Sequence, residues 1–181
     1  MKNFILKTIA CIAILSGAIS CKKETAVTRD TIRPKAALTI SGNGLNKTFY
    51  SDSSYTYGQL NLKPNAKYHF ILSGVDTGGL RTLEFNSLNE LTYEALASTP
   101  HIYTTRTSAI SRMFTVTGDA SNPYVSFLIS GDIITQNVDQ NEDVFFSISG
   151  FSRDYAGLTG NVDIPCATTY TPVGGYGWVG F

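Results

Sequence analysis

Charge of one sign, histidine and long apolar runs are all scarce in this sequence. Its 181 residues carry 14 Lys+Arg against 14 Asp+Glu, and only 15% of them are charged. With no cationic excess to release counterions from phosphates, a nucleic-acid partner held on a basic face is excluded. The two histidines, His69 and His101, lack further ligands at metal-binding spacing. No Gly-x-Ser-x-Gly elbow, His-Glu-x-x-His helix or Gly-rich phosphate loop occurs, so the chain reads as a non-enzyme without a cofactor. What is present is 43% hydrophobic content, enough to close a core and to exclude a disordered chain.

The N-terminus carries Lys2 and Lys7, an apolar stretch from Ile9 to Ile19, and small residues running into Cys21. That stretch falls short of the ~20 residues a membrane span requires. It has the layout of a secretory signal over residues 1–20. The segment Leu15-Ser16-Gly17-Ala18-Ile19-Ser20-Cys21-Lys22-Lys23 resembles the signal of bacterial lipoproteins. The resemblance implies that Cys21 becomes a lipidated first residue and that the membrane is a partner through this anchor. The Cys-Lys-Lys-Glu start resembles those sorted to the outer membrane, facing the periplasm or the cell surface. Residues 21–36, polar and almost without apolar side chains, then form a flexible tether. Of three cysteines, Cys11 leaves with the signal and Cys21 takes lipid, so Cys166 remains without a disulfide partner. It shares parity with Val162 and Ile164, as an inward-facing thiol would.

From residue 37 to 181 the dominant pattern is period two, in short β-branched and aromatic runs. This predicts an all-β antiparallel β-sandwich with a Gly/aromatic C-terminal segment. Tyr68, Phe70 and Leu72 fall on one face, as do Leu83 with Phe85, and Phe114 with Val116. Val125 with Phe127 and Ile129, and Val144 with Phe146 and Ile148, complete the expected core. Five segments end alike, among them Phe70-Ile71-Leu72-Ser73-Gly74, Phe127-Leu128-Ile129-Ser130-Gly131 and Phe146-Ser147-Ile148-Ser149-Gly150, and each Gly reads as the end of a strand. One short helix is predicted near residues 88–98, from the capping box Ser87-Leu88-Asn89-Glu90 and the spacing of Leu88, Leu91, Ala95 and Leu96 before Pro100.

Asp76 and Asp154 each precede Gly by a few residues, in Val75-Asp76-Thr77-Gly78-Gly79 and Arg153-Asp154-Tyr155-Ala156-Gly157. Each carboxylate is expected to brace a turn between strands by accepting backbone N–H groups. On these turns the chain resembles bacterial immunoglobulin-like domains, which implies a spacer or binding role. The run Asp139-Gln140-Asn141-Glu142-Asp143 begins as a calcium loop does but has Val144 where the loop needs Gly, so no metal site is assigned. Tyr170, Tyr176, Trp178 and Phe181, set among glycines at the C-terminus, are candidate ligand-binding aromatics that nothing local in the sequence buries. The functional reading is a non-catalytic binding or adhesion module of the cell envelope with a glycan or an envelope protein as partner. The alternatives are a structural subunit docking to an outer-membrane complex and, third, a small hydrolase.

Overall fold

The structure is a computed structural model that describes residues 30–55, 58–88, 91–100, 103–107, 111–139, 142–170 and 175–180. These residues form eleven β-strands and no helix. Residues 1–29, which hold the expected signal, Cys21 and most of the expected tether, lie outside the described residues. Strands β1 (Lys35–Gly42), β2 (Leu45–Tyr50) and β3 (Gly58–Leu62) precede the long β4 (Lys67–Leu88). There follow β5 (Leu91–Thr99), β6 (Tyr103–Thr107), β7 (Ser111–Thr117), β8 (Tyr124–Thr135), β9 (Asp143–Asp154), β10 (Thr159–Thr169) and β11 (Gly177–Gly180).

Strand β4 belongs to two layers. Its first half, Lys67 to Val75, pairs with β1 and β8 in a layer ordered β2-β1-β4-β8-β5. Its second half, Leu80 to Ser87, pairs with β7 and β9 in a layer ordered β6-β7-β4-β9-β10-β3-β11. Between the halves the register against β8 shifts from Val75 to Leu80. Such a bulge bends a strand and lets it leave one sheet for another. Every pair is antiparallel except β3 with β10, which run parallel. The antiparallel expectation is corrected at that one pair, because β3 reaches its place between β10 and β11 by a crossover rather than a hairpin.

The two layers face each other across one core. Phe70 from the first half of β4 stacks on Phe85 from the second, with ring centroids 4.1 Å apart and planes 20° from parallel. Leu38, Ile40, Leu72, Leu83, Val116, Ile129, Ile148 and Ile164 are buried around that pair. The strand-end reading of the Ser-Gly segments fails at Gly74, Gly131 and Gly150, which lie inside β4, β8 and β9. Their role is steric: a Cβ on Gly150 would collide with Leu72, one on Gly74 with Leu83, and one on Gly131 with Leu96. The missing side chains leave room for large apolar groups to interdigitate at native packing density.

The predicted helix is a strand. Leu91–Thr99 pairs antiparallel with β8, with a register shift between Glu94 and Ala97 and Ala95 at φ 50°. The bulge adds a residue to the period, so Leu91 and Leu96 reach the core at a spacing that mimics a helical stripe. Thr92, Tyr93 and Thr99 suit an extended chain, and the residue before Pro100 disfavours the helical region. Val125 is corrected too: it is 58% exposed, because the pairing of β8 with β4 is interrupted between Ser126 and Tyr124. Val144 is half-buried at the start of β9. Asp76 lies in no turn; the Asp76-Thr77-Gly78-Gly79 segment is the bulge of β4, where the chain changes layer without reversing.

Candidate binding groove beside the C-terminal strand

The C-terminal segment returns to the sandwich as an edge strand. In β11, Gly177 stands opposite Asn61, Trp178 opposite Leu60, Val179 opposite Gln59 and Gly180 opposite Gly58. Side chains lock it from both sides. Asn61 donates from Nδ2 to the Gly175 carbonyl at 3.1 Å and accepts at Oδ1 from Gln59 at 2.6 Å. Trp178 meets Phe49 and Tyr55 edge-to-face, with centroids at 5.3 and 5.6 Å. Those rings meet each other at 5.0 Å, so three aromatics interlock where β2, the following loop and β11 converge. Nothing local in sequence buries Trp178, yet partners more than a hundred residues away half-bury it.

Tyr176 and Tyr170 remain exposed, at 43% and 47%. The Tyr176 hydroxyl donates to the Tyr170 carbonyl at 2.8 Å, and the Lys63 ammonium lies 5.5 Å from the Tyr176 ring centroid. A cation at that distance is attracted by the negative face of the ring. Phe181 lies outside the described residues.

Opposite this segment stands the β1–β2 hairpin, turned by Asn43 and Gly44 with φ of 51° and 86°. Asn-Gly with both φ positive is the two-residue turn whose twist suits a hairpin. Between hairpin and tail runs a groove of about 460 Å³, lined by Asn43, Asn46, Lys47, Lys63, Tyr176 and Trp178, among others. At its floor Tyr68, buried, accepts the Lys63 N–H at its hydroxyl oxygen at 2.9 Å, and burial pushes its phenol above the ordinary value. No Asp or Glu lines the groove among the described residues. It offers ring faces, amide donors and acceptors, and two cations. The sequence marked Tyr176 and Trp178. It missed Asn43, Asn46, Lys47 and Lys63, which reach the same place from other segments; Asn43-Gly44 is the local signal that could have located the hairpin.

The remaining candidates lie elsewhere. On the outer face of the first layer His69 Nδ1 sits 2.8 Å from Asp132 Oδ1, and Lys67 bridges Asp132 at 2.9 Å and Glu94 at 3.0 Å. Lys67 first, then His69, hold the Asp132 carboxyl below the usual carboxylate range. His101 and part of the 139–143 run, Gln140 and Asn141, lie outside the described residues. Cys166 is 2% exposed, directs its thiol to the Ile164 carbonyl at 3.3 Å, and is held protonated by burial. Asp154 closes the β9–β10 hairpin, its Oδ1 accepting the Leu158 N–H at 2.7 Å, with Gly157 at φ 87°.

No protein-family model matches the sequence, and no curated protein matches it. Distant likenesses exist among solved structures. The major pilin subunit BcpA of Bacillus cereus (D312A variant) is 10% identical with a TM-score of 0.45, over 76% of this chain and 40% of that one. The C-terminal domain of the Streptococcus agalactiae AgI/II polypeptide BspA is 12% identical at TM-score 0.42, over 74% of this chain and 49% of that one. The collagen binding subdomain ACE19 of the Enterococcus faecalis surface protein ACE is 9% identical at 0.39, over 65% and 98%. This chain thus spans about two fifths of the length of the pilin chain it matches. With TM-scores below 0.5, these likenesses bear on neither ligand nor activity. The class that the geometry itself defines is an all-β, two-layer domain with a groove at one edge.

Gly58 tests how the groove wall is built, because a Cβ there would collide with the Trp178 ring. Gly58→Ala should cost about 1–3 kcal/mol, the usual penalty for overpacking. Denaturant unfolding measures that loss, and the Trp178 emission should shift to the red as the indole is expelled.

Proposed function

We propose that the protein is a non-catalytic binding module of the bacterial cell envelope, with an immunoglobulin-like sandwich as scaffold and a glycan as ligand of the groove beside β11. The observation that carries this reading is the groove lining: Tyr176 and Trp178 rings, Asn43 and Asn46 amides, Lys47 and Lys63, with no carboxylate among the described lining residues. Sugar rings present C–H faces that stack on aromatics and hydroxyls that pair with amides. The two lysines suit a glycan that bears acidic groups. A hydrolase would need an acid and a base flanking the scissile bond. The described lining of the groove holds no such carboxylate pair.

The lone tryptophan lines the site, so its emission reports occupancy directly. Titration with a panel of neutral and uronic-acid-bearing oligosaccharides should change Trp178 fluorescence, with the acidic members binding more tightly. Tyr176→Ala should weaken that binding by roughly tenfold or more, as the loss of one stacking ring does when it is worth 1–3 kcal/mol, while leaving the melting temperature near that of the parent. An emission unchanged by every member of the panel removes the glycan reading and leaves docking to an envelope protein.

The envelope address rests on the lipoprotein-like segment ending at Cys21, and we place the lipid anchor there. Intact mass of the membrane-extracted protein should match a chain beginning at Cys21 plus its acyl groups. A mass equal to an unmodified chain cleaved elsewhere would contradict it.

A further inference from the structure

At the end of β1 away from the groove, the carboxylates of Asp30, Asp76 and Asp154 converge, one oxygen of each lying within 4.8 Å of the other two. They arrive from three parts of the chain. Asp30 belongs to the segment before β1, Asp76 to the bulge of β4 and Asp154 to the last position of β9. Asp76 is 4% exposed and Asp154 1%. Neither carboxylate oxygen of Asp76 has a hydrogen-bond partner, and Asp154 Oδ2 has none either. The amides of Gly78 and Gly79 lean toward Asp76 without reaching hydrogen-bond geometry. Among the described residues, no Lys or Arg forms an ion pair with any of the three.

Carboxylates withdrawn from water and crowded together stay ionised only against a compensating charge. Burial first, then the neighbouring Asp30, already hold the Asp76 carboxyl above the usual carboxylate range. Hard cations take oxygen ligands. Calcium, with bonds of about 2.3–2.6 Å, spans ligand oxygens up to about 5 Å apart, whereas magnesium at about 2.0–2.1 Å needs them closer in a strict octahedron. Three carboxylate oxygens within 4.8 Å of one another lie inside calcium's reach. A Cβ on Gly78 would collide with Asp30 Oδ2, so the absence of a side chain there is what admits Asp30 to the cluster.

We propose that Asp30, Asp76 and Asp154 form a calcium site that fastens the segment leading into β1 to the bulge of β4 and the end of β9. Water completes the coordination. The site is independent of the groove, which lies beyond the other end of β1 at the Asn43–Gly44 turn. It also gives Asp76 and the free oxygen of Asp154 a role that turn bracing leaves unfilled.

Thermal unfolding of the purified protein in EDTA and in millimolar calcium chloride tests the site. The parent protein should melt higher in calcium than in EDTA, and both Asp30→Asn and Asp76→Asn should lose that rise. In EDTA, Asp76→Asn should melt no lower than the parent, because it removes an uncompensated buried charge; a bracing role would make it melt lower. Calorimetric titration with calcium should show affinity at least roughly tenfold weaker in Asp30→Asn, a loss that even outer-shell changes around metal sites reach. Asp30 lies on the segment outside the strands, so this variant keeps the test open if Asp76→Asn does not fold. A melting temperature of the parent that is indifferent to calcium, or a rise that survives in Asp30→Asn, overturns the proposal.

Discussion

The ring stack between Phe70 and Phe85 closes a single strand upon itself, and the rest of the architecture follows from that closure. Both residues belong to β4, one on each side of the bulge between Val75 and Leu80. Each half of the strand has two neighbours in its own layer. Each layer is therefore built outward from β4, and the core between them is shared rather than docked. The burial of two large aromatic side chains, at roughly 25 cal/mol per Å² of apolar surface removed from water, opposes any separation of the layers. Tyr93 and Phe114 extend the cluster, meeting at 5.1 Å beside Phe85.

The bulge and the β1–β2 hairpin give the sandwich two chemically different ends. At the bulge, the inward positions of β4 and β9 are Asp76 and Asp154 where the core has Leu and Phe. At the hairpin end, Asn43, Lys47, Lys63 and Tyr176 line one groove, with the Lys63 ammonium over the Tyr176 ring. A chain that is neutral overall thus carries an acidic pocket at one end and a cationic, aromatic groove at the other. Strands frame both ends, while Asp30, Asn43, Lys63 and Tyr176 reach them from the segments next to those strands. The groove owes its wall to β11, whose Trp178 interlocks with Phe49 of β2 and with Tyr55 in the loop after it.

The period-two pattern was enough to identify the all-β class and most of the core, since Tyr68, Phe70, Leu72, Phe85, Phe114 and Ile148 are buried where parity places them. Misreadings cluster where that period is interrupted. In β5 a bulge adds a residue and turns strand spacing into an apparent helical stripe; in β4 the Gly-Gly pair bends a strand that it does not end. Gly74, Gly131 and Gly150 looked like punctuation because sequence cannot distinguish a residue that turns the chain from one that yields space to a side chain across the core. Trp178 and Tyr176 were visible as ring-bearing residues, but the residues that complete their groove are separated from them by more than a hundred positions. The acidic cluster was invisible for the same reason: residues 30, 76 and 154 meet only after the sandwich has closed.

Because β4 runs through both layers, the two should unfold as one cooperative unit. Native-state hydrogen exchange at the amides of the two halves of β4, around Phe70 and around Phe85, addresses it residue by residue. The account predicts equal protection in both halves, with exchange in each following the global unfolding free energy as denaturant is raised. Exchange of one half through a smaller opening, while the other stays protected, would show that the layers unfold separately and would contradict it.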